Sequence, residues 1–322
     1  MNEFELIDYL TDGFPQYHAH VVQGIGDDCA VWKEGRETVL FTTDAMVEGD
    51  HFFKSWFSPE QIGERLIESN VSDIAAMGGE PAHLFLSLII DDQTPPEWLR
   101  KMYEGVKKSS QKYQISLLGG NVTHGLTLSI TVGLYGYGRG KLLFRHGAKA
   151  GDLVVVTGTI GSACVARLML KKGAVPPQAL FNRLALPQAR VSEALQIKPY
   201  ANAMIDISDG IASEARHLAK ESKLGVRIDA TKIPYQEEAL GCRDQLDQPL
   251  LDCAMRGGED YELMFTITPK KLRMLYNHYA LKTPLTVIGE MTSSLDCLYL
   301  DELGKIRELP AGFDHFGKNI NL

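Results

Sequence analysis

Disulfide and zinc chemistry are the first things this sequence lacks the means for. Its five cysteines, Cys29, Cys164, Cys242, Cys253 and Cys297, are odd in number and far apart, with no CxxC pair and no histidine at zinc-ligand spacing. That excludes a disulfide scaffold and a zinc ribbon, and reads as reduced, mostly core residues. No apolar run approaches the roughly 20 residues that a spanning helix needs. The longest, Leu84 to Ile90, is short and broken by Ser87. Positive charge is scarce too: 33 Lys and Arg against 41 Asp and Glu leave a net charge of -8, which disfavours a nucleic-acid or anionic-membrane partner. No low-complexity tract signals disorder. The opening Met1-Asn2-Glu3-Phe4-Glu5 is acidic where a signal peptide would be basic, so the expected location is the cytoplasm.

What is present is a globular composition, 44% hydrophobic and 23% charged over 322 residues. That length exceeds one ordinary core and predicts two domains. The glycine and charge break Gly138-Arg139-Gly140-Lys141 divides the chain into residues 1–140 and 141–322. Carboxylates on glycine-flexed turns dominate both parts. Gly24-Ile25-Gly26-Asp27-Asp28 precedes a strand expected over Thr38 to Thr42, which delivers Thr42-Thr43-Asp44. Asp73 follows on a helix, three residues after Asn70, so one face can present both toward Asp27 and Asp28. Oxygen donors without a Cys/His set are what Mg²⁺ prefers, held by a few carboxylates plus substrate phosphates. The same Asp-rich turns would also serve as ordinary solvated turn formers.

Ser58-Pro59-Glu60-Gln61 predicts a capped helix start, with Ile62, Leu66, Ile74 and Met77 at helical spacing until Gly78-Gly79. Leu84 to Ile90 reads as a buried strand, Thr94-Pro95-Pro96-Glu97 as the cap of a second helix, and Ile115 to Leu118 as a strand stopped by Gly119-Gly120-Asn121. Leu126 to Tyr137 alternates like a long strand, and Leu153 to Thr157 is another. Ala203 to Asp206 is an apolar strand ending in an acid, after which Ser208 or Asp209 would cap a helix to about Ser222. Strands alternating with capped helices indicate an α/β or α+β protein. Arg145 offers forked donors suited to phosphate, and His51 stands just behind the Thr-Asp cluster.

Taken together with Arg145 to Asp152, Ile205 to Ile211, Gly257 to Thr266 and Gly312 to Phe316, these motifs are collinear with, and the chain resembles, the thiamine-monophosphate kinase family. That family belongs to the superfamily named after aminoimidazole ribonucleotide synthetase. The resemblance implies a two-domain fold whose N-terminal sheets pair in a homodimer barrel, beside a C-terminal α+β domain. It implies direct transfer of the γ-phosphoryl group of ATP to thiamine phosphate, assisted by several Mg²⁺ ions, with room for K⁺. By resemblance Asp28, Thr42, Thr43, Asp44, Asp73, Asp206 and Asp209 fall on metal positions. Tyr103, Gly120, Arg145 and Ser208 fall on nucleotide positions, and His51, Glu259 and Phe313 on acceptor positions. Asp44, Asp73, Arg145 and Asp209 would carry the transfer; no catalytic base is implied, because the acceptor is already an ionised phosphate oxygen. The chain departs from the family where Asn121 replaces a metal-binding aspartate, which predicts weaker affinity for one Mg²⁺. It also admits two alternatives: a nucleotide-binding paralogue with lost or altered activity, or a superfamily kinase or synthetase with another acceptor.

Overall fold

The computed structural model describes residues 3–15 and 17–312, so Phe313 and the end of the Gly312 to Phe316 motif lie outside the described residues. The first half runs α1 (Glu3–Thr11), β1 (Val21–Gln23), β2 (Ala30–Glu34), β3 (Glu37–Val47), α2 (Pro59–Ala76), β4 (Glu80–Ile90), α3 (Pro96–Tyr113), β5 (Ser116–His124) and β6 (Ser129–Tyr137). Its sheet has the order β1-β2-β3-β6-β4-β5, antiparallel except for the parallel β4–β5 pair at the edge. The second half contributes β7 (Leu153–Thr157), α4 (Ser162–Lys171), α5 (Gln178–Ala185), α6 (Val191–Ile197), β8 (Ala203–Asp206), α7 (Ile211–Ser222) and β9 (Gly225–Asp229). It closes with α8 (Glu237–Cys242), α9 (Leu250–Arg256), β10 (Leu263–Ile267), α10 (Pro269–His278), β11 (Leu285–Thr292), β12 (Cys297–Leu300) and β13 (Ile306–Glu308). These strands form a second mixed sheet, β13-β12-β9-β11-β7-β10-β8.

The second sheet is buried on both faces, and β7 shows why its sequence is continuously apolar. Val154 and Val156 pack with α7 residues such as Ala215 and Leu218, whereas Val155 packs the other way with Ile197 and Leu275 of α6 and α10. The first sheet differs, because helices cover one face only. Along β4, Leu84, Leu86 and Leu88 are buried while Phe85 and Ile89 are open. The fully buried strand expected over Leu84 to Ile90 is therefore a one-sided strand that is apolar on both faces.

Helix α2 joins the two halves. Ser58 and Gln61 form the reciprocal capping box that their spacing predicts, with Pro59 in the first turn. The helix is buried almost all round, which helices on a one-sided surface are not. Close packing against α3 is possible because Gly63 and Gly105 bring backbone to backbone. A Cβ on Gly63 would lie 2.0 Å from the Met102 carbonyl, and one on Gly105 1.9 Å from that of Glu60. Its far end, Ala75 and Ala76, packs among residues of the second sheet. The polar side chains taken inside find partners, as burial demands, although Arg65 Nε has none. Glu68, for example, accepts from the Tyr113 hydroxyl at 2.6 Å, the Lys112 amine at 2.8 Å and the Ala189 amide at 2.9 Å.

Three local expectations are corrected. Helix α3 starts at Pro96 without a side-chain cap, because Thr94 instead donates to Asp91. Strand β5 does not stop at Gly119-Gly120 but runs through to His124. The glycine serves close approach to β4, since a Cβ at Gly120 would sit 1.8 Å from the Leu86 carbonyl oxygen. Neither Ser208 nor Asp209 caps α7; the cap position is Gly210, whose φ of 98° suits glycine.

Candidate active site

A cavity of about 350 Å³ lies where the ends of the two sheets meet α2. Each contributing element delivers few groups. The turn before β2 brings Asp27 and Asp28; β3 brings Thr42, Thr43 and Asp44; α2 brings Asp73. From the second half come Asp206, Ser208 and Asp209 after β8, Arg167 from α4, and Gly257, Glu259 and Tyr261 from the turn before β10. His51 closes one side and Arg145 another. No helix among the described residues is long and apolar enough to cross a membrane.

Hydrogen bonds among the lining groups, and from residues behind them, fix their positions. Thr42 donates its hydroxyl to Asp73 at 2.6 Å, and the Asp44 amide donates to the Asn70 side chain at 3.2 Å. Asn70 is itself held by its donation to the Leu66 carbonyl. So Asn70 and Asp73 act as a pair, but Asn70 orients β3 rather than facing the acids. Ser72 donates to Asp206 at 2.6 Å in a fully buried bond between α2 and β8. The Asp209 amide donates to Glu214, a residue in the first turn of α7. Arg145 clasps Asp28 through Nε at 3.0 Å and Nη2 at 2.6 Å, while its backbone amide reaches Asp27 at 3.1 Å. His51 Nδ1 lies 3.3 Å from the Val47 amide and 3.4 Å from the Asp50 carboxylate.

Burial and mutual repulsion raise the affinity of this cluster for protons. Burial, then Asp28, pushes Asp27 up to about 7, and burial, then Asp28 again, pushes Asp206 up to about 8. Asp73 is raised well above the usual range by burial and by Asp44, Asp206 and Asp28. Burial raises Asp28 despite the opposing Arg145, and raises Glu214 strongly together with Asp209 and Asp206. Glu259 goes the other way: burial disfavours its charge, but Arg65 and Arg167 hold it below the ordinary value. Such a group of carboxylates binds protons or cations to become tolerable. Asp28 Oδ2 is buried with no hydrogen-bond partner, an atom left for a cation. The acids ring the space, and no three metal-ligating side chains among the described residues already converge on one point. The donors themselves are all oxygen, the ligand type that Mg²⁺ prefers.

The cavity thus brings together Asp28, Thr42, Thr43, Asp44, His51, Asp73, Arg145, Asp206, Ser208, Asp209 and Glu259. It does not bring in Tyr103, Gly120 or Asn121. Tyr103 is half-buried on α3. Gly120 and Asn121 lie on the edge strand, in register with Asp44 and Ala45 but with β6 and β4 between. Strand spacing puts them about 14 Å from β3. Asn121 therefore does not share the acid cluster of its own chain. Several groups in or behind the lining were not found by sequence reasoning. Arg65, beneath the cavity in α2, pairs with Glu259, 194 positions away. Arg167 sits 3.7 Å from the same carboxylate. Only Glu214 had a signal, as an acid in the first turn after Asp-Gly.

Residues 26–139 match the family described as AIR synthase related protein, N-terminal domain, and residues 149–296 its C-terminal domain. The chain is 36% identical to a thiamine-monophosphate kinase of Buchnera aphidicola subsp. Schizaphis graminum, covering 98% of this chain and 99% of that protein. It is 34% identical to the thiamine-monophosphate kinase of Escherichia coli K12, over 98% of each. Among solved structures it is similar to AaThiL complexed with AMPPCP and TMP, with a TM-score of 0.86, 32% identity, and coverage of 98% of this chain and 97% of that one. The thiamine monophosphate kinase of Aquifex aeolicus superposes with a TM-score of 0.81 at 30% identity, over 96% of this chain and 100% of that one. The two-domain architecture of mixed sheets and packed helices is the fold of these proteins.

Proposed function

We propose that this chain, which belongs to the thiamine-monophosphate kinase family, transfers the terminal phosphoryl group of ATP directly to thiamine phosphate, giving ADP and thiamine diphosphate. One observation carries the reading: carboxylates from both sheets crowd a single cavity, opposite Arg145 and beside the Glu259 turn. Two phosphorylated anions repel each other, and phosphoryl transfer needs positioning and charge neutralisation more than covalent chemistry.

The donor set is all oxygen, so Asp28, Thr42, Thr43, Asp44, Asp73, Asp206 and Asp209 would hold several Mg²⁺ ions, and the same donors would accept K⁺. When bound, Mg²⁺ supplies positive charge to the phosphate oxygens. Among the protein's own groups, Arg145 offers a guanidinium fork to a phosphate, and Ser208 a hydroxyl to the nucleotide. His51, Glu259 and Phe313 contact the acceptor. Asp44, Asp73 and Asp209 fix the positions in which the two phosphates meet. No side chain is needed as a base, because the attacking oxygen is already ionised.

We place the nucleotide-binding and dimerising part in residues 1–140 and the part that completes the cleft in 141–322. A homodimer is supported by the open face of the first sheet, where Phe85 and Ile89 are 41% and 42% exposed, beside an edge strand with Val122 at 65%. Pairing of two such faces is also the arrangement that would give Gly120 and Asn121 on the edge strand a nucleotide to meet, with Tyr103 of α3 a further proposed nucleotide contact. Five unpaired cysteines and the use of ATP support a cytoplasmic setting.

The test incubates the protein with ATP, Mg²⁺ and thiamine phosphate and separates both nucleotide and thiamine products. Equal amounts of ADP and thiamine diphosphate are expected. ADP without thiamine diphosphate, or ATP bound but unconsumed, would overturn the proposal.

A further inference from the structure

Four non-glycine residues in the described chain have a left-handed backbone. Gln114 and Lys223 do so at the ends of α3 and α7, where that conformation is common. The other two, Glu259 with φ 62° and Tyr261 with φ 50°, stand in the turn between α9 and β10, next to Gly258 at 63°. Side chains of that size are strained there, and the conformation persists only where the surroundings over-determine it.

The surroundings do so here. The Glu259 amide donates to the Ser208 carbonyl at 2.7 Å and the Tyr261 amide to that of Ile207 at 2.9 Å. Gly258 is pressed on the same loop, for a Cβ there would lie 2.1 Å from Ser208 O. Between the two strained residues, Asp260 turns away from the cavity and is 1% exposed. Its Oδ2 accepts from the Gly161 amide at 2.7 Å and its Oδ1 from the Ala163 amide at 3.5 Å. Those amides open α4, whose cap position Gly161 has no side chain to satisfy them. Two turns on, Arg167 of the same helix donates to the Gly257 carbonyl at 2.8 Å and faces Glu259. The circuit closes on itself: the turn caps the helix, and the helix grips the turn.

We infer that Asp260 is a positioning residue for the reaction: by capping α4 from across the chain, it holds the strained turn so that Glu259 and Tyr261 face the cavity. The inference rests on the proposed kinase activity, in which Glu259 contacts the acceptor. Asp260 touches neither substrate, so its loss acts through the turn.

The test compares Asp260→Ala and Asp260→Asn with a control, Thr268→Ala, which removes the cap of α10 outside the site. Initial rates are measured against thiamine phosphate and against ATP, and amide hydrogen exchange is followed across residues 257–263. Asp260→Ala is expected to raise KM for thiamine phosphate about tenfold or more, with less than about a twofold change in KM for ATP. Exchange in the turn should quicken. Asp260→Asn, which keeps an acceptor oxygen for Gly161, should recover part of both effects, and Thr268→Ala should lower stability while moving neither. Wild-type values of KM and exchange in Asp260→Ala, or an equal KM change in Thr268→Ala, overturn the inference. If the wild-type protein forms no thiamine diphosphate, the kinase reading alone fails. Exchange of the turn then decides for Asp260: unchanged protection in the variant sinks it, quickened exchange sustains it. Should Asp260→Ala fail to fold, the Asn variant is judged by the same two readouts.

Discussion

Replacing Arg65 by methionine removes a charge the fold has taken almost completely inside. Arg65 is 1% exposed, donates to the Leu184 carbonyl at 2.6 Å, pairs with Glu259 and lies 5.4 Å over the Phe57 ring. Breaking a buried pair from one side costs about 3–5 kcal/mol when the surviving charge has no other partner. Glu259 keeps Arg167 at 3.7 Å and an 18% exposed side chain, so the pair term should fall to about 2 kcal/mol. Losing the bond to Leu184 leaves a buried carbonyl and adds about 1 kcal/mol. Methionine packing on Phe57 offsets little of that. The expected loss is about 3 kcal/mol, a drop in Tm of roughly 5 °C for a chain of this size. Glu259, now held down by Arg167 and His51 without Arg65, should titrate higher. The double variant Arg65→Met/Glu259→Gln should regain about 2 kcal/mol, because the stranded carboxylate is gone. Thermal melts and chemical denaturation of the four proteins of this cycle make the measurement. A Tm for Arg65→Met within about 1 °C of wild type, or a double variant no more stable than the single, would refute the reasoning.

Four further outcomes are expected. Folded Asp206 keeps its proton up to about 8, against 3.8 for an ordinary aspartate; the folded state thus binds more protons across that window, and without divalent cations stability should fall as pH rises through it. Melts in a chelator from pH 5 to 8 should show a decline that is shallower in Asp206→Asn and absent with excess Mg²⁺; equal slopes in both proteins would be the wrong answer. Gly63→Ala should destabilise by several kcal/mol, because its Cβ meets the Met102 backbone rather than a side chain that can move, and unfolding at wild-type denaturant concentrations would contradict it. Under the proposed homodimer, Phe85→Glu on the open face of the first sheet should give a monomer by sedimentation under conditions where the wild type is expected to give a dimer; the same sedimentation for both proteins would refute it. Asn121→Asp should lower the Mg²⁺ concentration for half-maximal turnover; an unchanged Mg²⁺ dependence would rule out a metal role for that position.

Much of the site could be read from the sequence because its acids sit where strands and turns end. Asp206 is such a case: an acid closing an apolar strand needs a reason beyond capping, and it lies 2.6 Å from Ser72 in the interior. The Ser58–Gln61 box and the strand Leu153–Thr157 were equally plain, since both are local patterns. What escaped is set by tertiary contact. Gly119-Gly120 reads as a stop, yet the strand runs straight through, and at Gly120 β4 approaches too closely for any side chain. Arg65 reads as one more charge on a helix, and only its partner 194 positions away explains why it is buried. Ser208-Asp209-Gly210 looks like a capping sequence, but the helix begins only at Ile211, so the cap position falls on Gly210, while the Ser208 carbonyl accepts from the strained Glu259 turn.

The bond between Ser72 and Asp206 spans 134 positions of sequence and ties the middle of α2 to the end of β8. Neither half of the chain owns the acid cluster, so neither can offer a binding site before the other has docked. A nucleotide or cation seated among these groups therefore adds its binding free energy to both halves at once. Any opening that parts the two halves becomes rarer in the loaded protein, so proteolytic nicking that depends on their separation should slow as nucleotide or cation is added.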